Sequence, residues 1–152
     1  MENIFDALKS FILEELEDYL LECTDDTTPM PMVAEKNIVF GSVDISRLSG
    51  KVICSILPEN ENDDEDELGY RNVTSSVTVT FILSGAAYDV LVRQMARYAS
   101  AFRKCLLDSP TLNGRVENLS VGERTFYNDA GITEKQMTAV EIALTIFTEE
   151  EI

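Results

Sequence analysis

The stretch RNVTSSVTVTFILSGAAYDVLVRQMARYASAFRKCLL, residues 71–107, decides the fold. Its first part alternates: Val77, Val79, Phe81 and Leu83 are interleaved with Thr78, Thr80 and Ile82. A period of two, built from β-branched and aromatic residues, predicts a strand over 71–83. Ile82 stands on the face opposite the other apolar residues, so both faces of this strand are expected to be covered near its end. Gly85 ends it, and the period then changes. Tyr88, Leu91, Val92, Met95, Tyr98, Ala99, Phe102 and Leu106 recur at helical spacing and predict an amphipathic helix over 86–107. This stripe reads as core rather than as a cofactor box. Arg93, Arg97, Arg103 and Lys104 lie off it, so four of the twelve bases sit on one helix. A strand running into a stripe-bearing helix implies a helix layer on a sheet.

Upstream, Ile4, Phe5, Leu8, Phe11, Ile12, Leu16, Tyr19 and Leu20 predict a second amphipathic helix over 3–22, with Glu14, Glu15, Glu17 and Asp18 mostly opposite. The run TDDTTPMP then predicts a loop, because Pro29 and Pro31 break regular structure. The apolar runs at 38–40 and 52–57, punctuated by Gly41 and Gly50, read as strands. Seven of the nine residues from Glu59 to Glu67 are acidic. Such a run repels itself, so 58–69 is expected to be a mobile, solvated loop.

Downstream, DSPTLNGRV closes the long helix, and Asn113-Gly114 signals a turn. Val116, Leu119, Val121, Thr125 and Tyr127 predict a strand over 115–127. Asp129-Ala130-Gly131 turns the chain again. Over 135–148, Val140, Ile142, Leu144 and Ile146 alternate with Ala139, Glu141, Ala143 and Thr145, which predicts the closing strand of a hairpin. The EEEI tail is expected to fray. The order helix, strands, helix, strands gives an α+β fold: a mainly antiparallel sheet with two amphipathic helices packed on it, as a single domain over 1–152.

Composition excludes more than it identifies. The 152 residues hold 28 acids, 12 bases and no histidine, a formal charge of −16. Specific nucleic-acid binding needs a basic face that twelve dispersed bases do not supply, and an anionic membrane repels such a chain. Without histidine, Ser-His-Asp and Cys-His mechanisms are excluded, with most zinc sites. Cys23, Cys54 and Cys105 are odd in number and far apart, so buried free thiols in a reducing cytosol are expected. The N-terminus lacks a signal peptide's basic region, and no run reaches 18 apolar residues. The sequons at Asn72 and Asn118 are then idle.

No phosphate-cradle or nucleophile-elbow motif occurs, and no cofactor site is expected. Calcium fits the acidic run poorly. A calcium loop opened at Asn60 puts Glu65 at the glycine position and Arg71 at the twelfth; one opened at Asp64 gains Gly69 but ends on Ser75. The run is therefore read as a solvated segment or one that orders on a partner. That makes Glu59, Glu61, Asp63, Asp64, Glu65, Asp66 and Glu67 candidate contacts. Glu141 interrupts a strand of small and apolar residues. It is either a solvated outer side chain or half of an ion pair across a subunit contact, with an arginine of the second helix.

The element order resembles the small tail-terminator or tail-completion proteins of long-tailed bacteriophages. The likeness runs through the N-terminal helix, KVICSIL, the acidic segment, SSVTVTFIL, the helix YDVLVRQMARYASAFRKCL and the closing strand MTAVEIALTIF. Its most specific piece is the LxGxV turn, Leu112-Asn113-Gly114-Arg115-Val116. The acidic segment departs from the pattern. The resemblance implies a structural, non-enzymatic virion protein, assembled in the host cytoplasm. It would form a hexameric ring that caps the tail tube and meets a head-completion or connector protein. Ring closure demands a heterologous contact. Arg93, Arg97 and Arg103 meeting an acidic surface would serve, as would a sheet edge. Another connector or tail component, and an acidic module that mimics DNA, are the alternatives.

Overall fold

The computed structural model describes residues 1–43, 51–65, 69–128 and 136–151, with backbone alone at 65 and 151. Its strands are β1 (Ile38–Phe40), β2 (Val52–Glu65), β3 (Tyr70–Ser84), β4 (Asn118–Tyr127) and β5 (Met137–Glu151), in the sheet order β1-β2-β3-β5-β4. The alternating strand of the sequence, β3, is central, antiparallel to β2 on one side and to β5 on the other. β4 and β5 form the expected hairpin. Every pairing is antiparallel except β1 with β2, where Ile38 sits opposite Cys54 in a parallel ladder. Gly41, at φ +101°, turns the chain out of β1. Val43 then packs on the sheet's second face against Ile82, Met137 and Ala139. That covers both sides of the end of β3, as Ile82 foretells.

The helix α3 (Tyr88–Asp108) crosses the other face. Phe81 of β3 meets the rings of Tyr98 and Phe102 at 5.0 and 5.1 Å, all three fully buried. Val140, Ile142, Leu144 and Ile146 supply the β5 share of this core. Tyr88 departs from the stripe: it is the first residue of the helix and is 42% exposed. Val92 is only half buried.

The N-terminal helix comprises α1 (Glu2–Phe11), a π-helical turn (Ile12–Leu16) and α2 (Glu17–Cys23), without a break between them. Its buried residues Ile4, Leu8, Ile12, Leu16 and Leu20 are spaced by four. On a 3.6-residue helix that stripe drifts about 40° per step, so one wider turn brings it back onto the core.

The acidic run is where structure and sequence part. Residues 58–65 were expected in a loop, yet they extend β2, pairing with β3 from Pro58 opposite Val77 to Glu65 opposite Arg71. A bulge between Pro58 and Asn60 absorbs Glu59. The expected fraying of the tail fails likewise, since Glu149 to Glu151 pair with Asn72 to Tyr70. The reason is shared. A ready strand on the neighbouring side offers a backbone ladder, while the side chains of Glu59, Asp64, Glu149 and Glu150 are exposed and keep their hydration. Arg71 tempers the repulsion by bridging Asp63 at 3.5 Å and Glu150 at 2.7 Å. Asp66 and Glu67 lie outside the described residues, as do Gly50 and the turn at Asp129-Ala130-Gly131.

Two connections are held by named side chains. After α2, Asp25 Oδ1 accepts bonds from the Thr27 and Thr28 backbone N–H and the Thr27 hydroxyl. Gln94 then donates to the Pro29 carbonyl at 2.7 Å and Tyr98 to the Pro31 carbonyl. The LxGxV turn places Leu112, Asn113 and Gly114 all in the left-handed region, at φ 52°, 59° and 87°. Leu112 is fully buried and anchors the turn. Arg115 bonds Glu14 at 2.6 Å and Asn113 bonds Glu15 at 2.9 Å, so the π turn is the platform on which the LxGxV turn rests.

Candidate interaction surfaces

The described residues present three surfaces, each traceable to one element. The first is the outer edge of β2. The short β1 pairs only as far as Ile56, so beyond Leu57 no strand among the described residues pairs with β2 on that side. It carries Glu59, Glu61, Asp63 and Asp64. Asp63 is bound to Arg71, and Glu61 lies 3.4 Å from the α-amino group of Met1. Glu59 accepts a neutral bond, 3.1 Å from the Thr78 hydroxyl. Asp64 is exposed, and neither it nor Glu59 has a cationic partner among the described residues.

The second surface is a groove of about 360 Å³ between α2 and α3, lined by Tyr19, Glu22, Cys23, Ala96, Arg97, Ser100, Ala101 and Lys104. Small residues on α3 make its floor, so the two helices leave a gap. The cations that line it, Arg97 and Lys104, are each paired within the chain. Lys104 lies 3.5 Å from Glu22, with both side chains well exposed, a pair worth little in water. Tyr19 donates to Asp108 at 2.7 Å, and that bond pushes the Tyr19 phenol up to about 12. Burial raises the Cys23 thiol, with Arg97 opposing.

Arg97 was expected among the partner contacts, but its guanidinium is engaged within the fold. It donates to the Cys23 carbonyl at 2.7 Å and bridges Asp25 at 3.1 Å. Asp25 is held well below the usual carboxylate range, at about 2, by the Thr27 and Thr28 bonds first and Arg97 after them. Arg93 and Arg103, by contrast, are exposed on α3 and have no carboxylate partner among the described residues.

The third surface is the sheet face away from the helices. At the centre of this face, register places fifteen outward positions on β2 (53, 55, 57, 60, 62), β3 (74, 76, 78, 80, 82) and β5 (139, 141, 143, 145, 147). Glu141 is the one charge in this central stretch, and the same alternation continues to Asp64 on β2 and Glu149 on β5 toward the acidic end. Glu141 itself lies between Thr80 and Thr125 and is occupied locally: its charge and its hydrogen bond with Tyr127 raise that phenol's pKa. Tyr127 and Phe126 are exposed at the end of the hairpin. Among the described residues, no group of three or more cysteine, aspartate and glutamate side chains is placed to hold a metal. None of their helices is long and apolar enough to cross a membrane.

The charge-poor face was readable in the alternation of Thr, Ser and Ala between the apolar residues of β3 and β5. The groove left no such signal, because it exists only where α2 meets α3. No protein-family profile matches the chain, and no curated protein does. Among solved structures, it is similar to a chain of the virion of the native gene transfer agent particle, with 14% identity and a TM-score of 0.43, over 73% of this chain and 78% of that one. It is also similar to a chain of the sheath/tube terminator of an extracellular contractile injection system (PVC) in its extended state. There the identity is 10% and the TM-score 0.46; all of this chain is covered, and it spans 57% of the other's length.

Proposed function

We propose that this chain is a structural subunit of the tail-terminator kind. It assembles with copies of itself into a ring, a hexamer, that closes a tail tube in the virion and offers its head side to a completion or connector protein. Assembly takes place in the host cytoplasm. The whole of 1–152 acts as one domain and works by shape rather than by catalysis.

The observation that carries the reading is the centre of the outer sheet face: fifteen positions with one charge, bordered by Asp64 and Glu149 at the acidic end, in a chain of net −16. A face so depleted of charge is suited to packing on protein, whereas the acids elsewhere keep the subunit soluble and repel DNA passing through a lumen. The element order named in the sequence, from the first helix through the LxGxV turn to the closing hairpin, supplies the class. Electron microscopy of tails assembled without this protein tests it. Tubes of uncontrolled length or tails lacking heads are expected. Tails of uniform length joined normally to heads would refute it.

A further inference from the structure

The ring reading leaves open which surfaces meet, and the three surfaces differ in a way that selects between them. The geometry points to a head-to-tail contact in which the acidic outer edge of β2 on one copy docks along the α2–α3 groove of the next. This rests on the self-assembly proposed above and goes beyond it by naming both halves of the contact.

Charge complementarity commits the occupant. At −16, two copies repel each other at long range, so a contact that brings opposite charges together is favoured over one between acidic surfaces. Beside the groove rather than in its lining, α3 offers Arg93 and Arg103, exposed and without carboxylate partners among the described residues; Lys104, which does line it, lies 3.5 Å from Glu22. The β2 edge offers the converse, Glu59 and Asp64. Beyond Leu57 it has no paired strand on that side among the described residues, an edge that acidic side chains guard against indiscriminate strand pairing. A basic helix covers such an edge through its charges, where another acidic strand cannot. Ala96, Ser100 and Ala101 keep the floor low enough for an extended chain to lie close.

Within one chain the two halves cannot meet. The groove is on the outer side of the helix layer, and the acidic edge lies along the sheet's rim. The contact is therefore heterologous, the kind that closes into a ring or runs on as a filament. Arg97 is not part of it, since Asp25 and the Cys23 carbonyl already hold its guanidinium.

A charge swap tests the contact. One variant carries Arg93→Glu and Arg103→Glu; the other carries Glu59→Lys and Asp64→Lys. All four side chains are exposed, and circular dichroism checks that each variant folds. Sedimentation velocity at low ionic strength is expected to show wild type self-associating with concentration. Each variant alone should be weakened by about 100-fold or more. An equimolar mixture should recover association, because each variant's edge then faces the groove of the other. Salt should weaken all of these contacts. Wild type that stays monomeric at every concentration, variants that associate as wild type does, or a mixture that fails to recover would each overturn the inference. Tail length in the absence of the protein reads the functional proposal separately, so the two fail independently.

Discussion

Leu112 gives the sharpest test of how this fold is held. It is fully buried yet sits at φ +52°, a conformation that costs an ordinary residue about 1–2 kcal/mol. The turn keeps a leucine there because packing outweighs that strain. Leu112→Ala removes the packing and keeps the strain, so a loss of about 2–5 kcal/mol is expected. Leu112→Gly removes one methyl more, about 0.8 kcal/mol, and loosens the unfolded chain. It also abolishes the strain, because glycine occupies the left-handed region freely. The two variants are therefore expected to lie within about 1 kcal/mol of each other, whereas in ordinary helix or strand Gly falls below Ala by about that amount. Urea unfolding of both variants beside wild type measures the difference. If Leu112→Gly is less stable than Leu112→Ala by about 2 kcal/mol or more, the strain argument is wrong and the turn is held by other forces.

Three further outcomes follow from the side-chain environments. Native protein treated with a thiol reagent should react at Cys23 alone, and slowly, because burial raises all three thiols and encloses Cys54 and Cys105, the latter at about 12; denatured protein should react at all three. Asp25 is depressed to about 2 from an ordinary 3.8, so the stability it lends is complete above the ordinary value and is lost as pH falls through the folded one. Asp25→Asn should therefore flatten the change in thermal midpoint between pH 4 and pH 2 relative to wild type; an unchanged slope would refute the assignment. Tyr98→Phe removes the donor to the half-buried Pro31 carbonyl and should cost about 1–3 kcal/mol in urea unfolding, with no change in secondary structure by circular dichroism.

How much was legible depended on whether a segment's structure follows from its own residues. β3, β5 and α3 were plain because their apolar spacing already states which face is buried. The acidic stretch misled for the opposite reason. Local charge repulsion argued for a loop, but the partner strand at 71–77 supplied a ladder that no local window contains. β1 was found as a strand, yet its parallel pairing was not, since direction is settled by where Gly41 sends the chain. Among the candidate contacts, Arg93, Arg103, Glu59 and Asp64 remain outward, while Arg97 is drawn inward by a loop whose path α3 dictates.

By itself, then, the sequence determined the layers: two striped helices, alternating strands, and a heavily acidic chain with four of its twelve bases on one helix. Periodicity and composition carry that information because burial is a local demand on each side chain. Only the tertiary structure decided which charges are spent inside the molecule, where a groove opens between helices, and how far the sheet extends into the acidic run. Those outcomes belong to pairs of segments distant in the chain, and a hydrogen bond or ion pair exists only once both partners are in place.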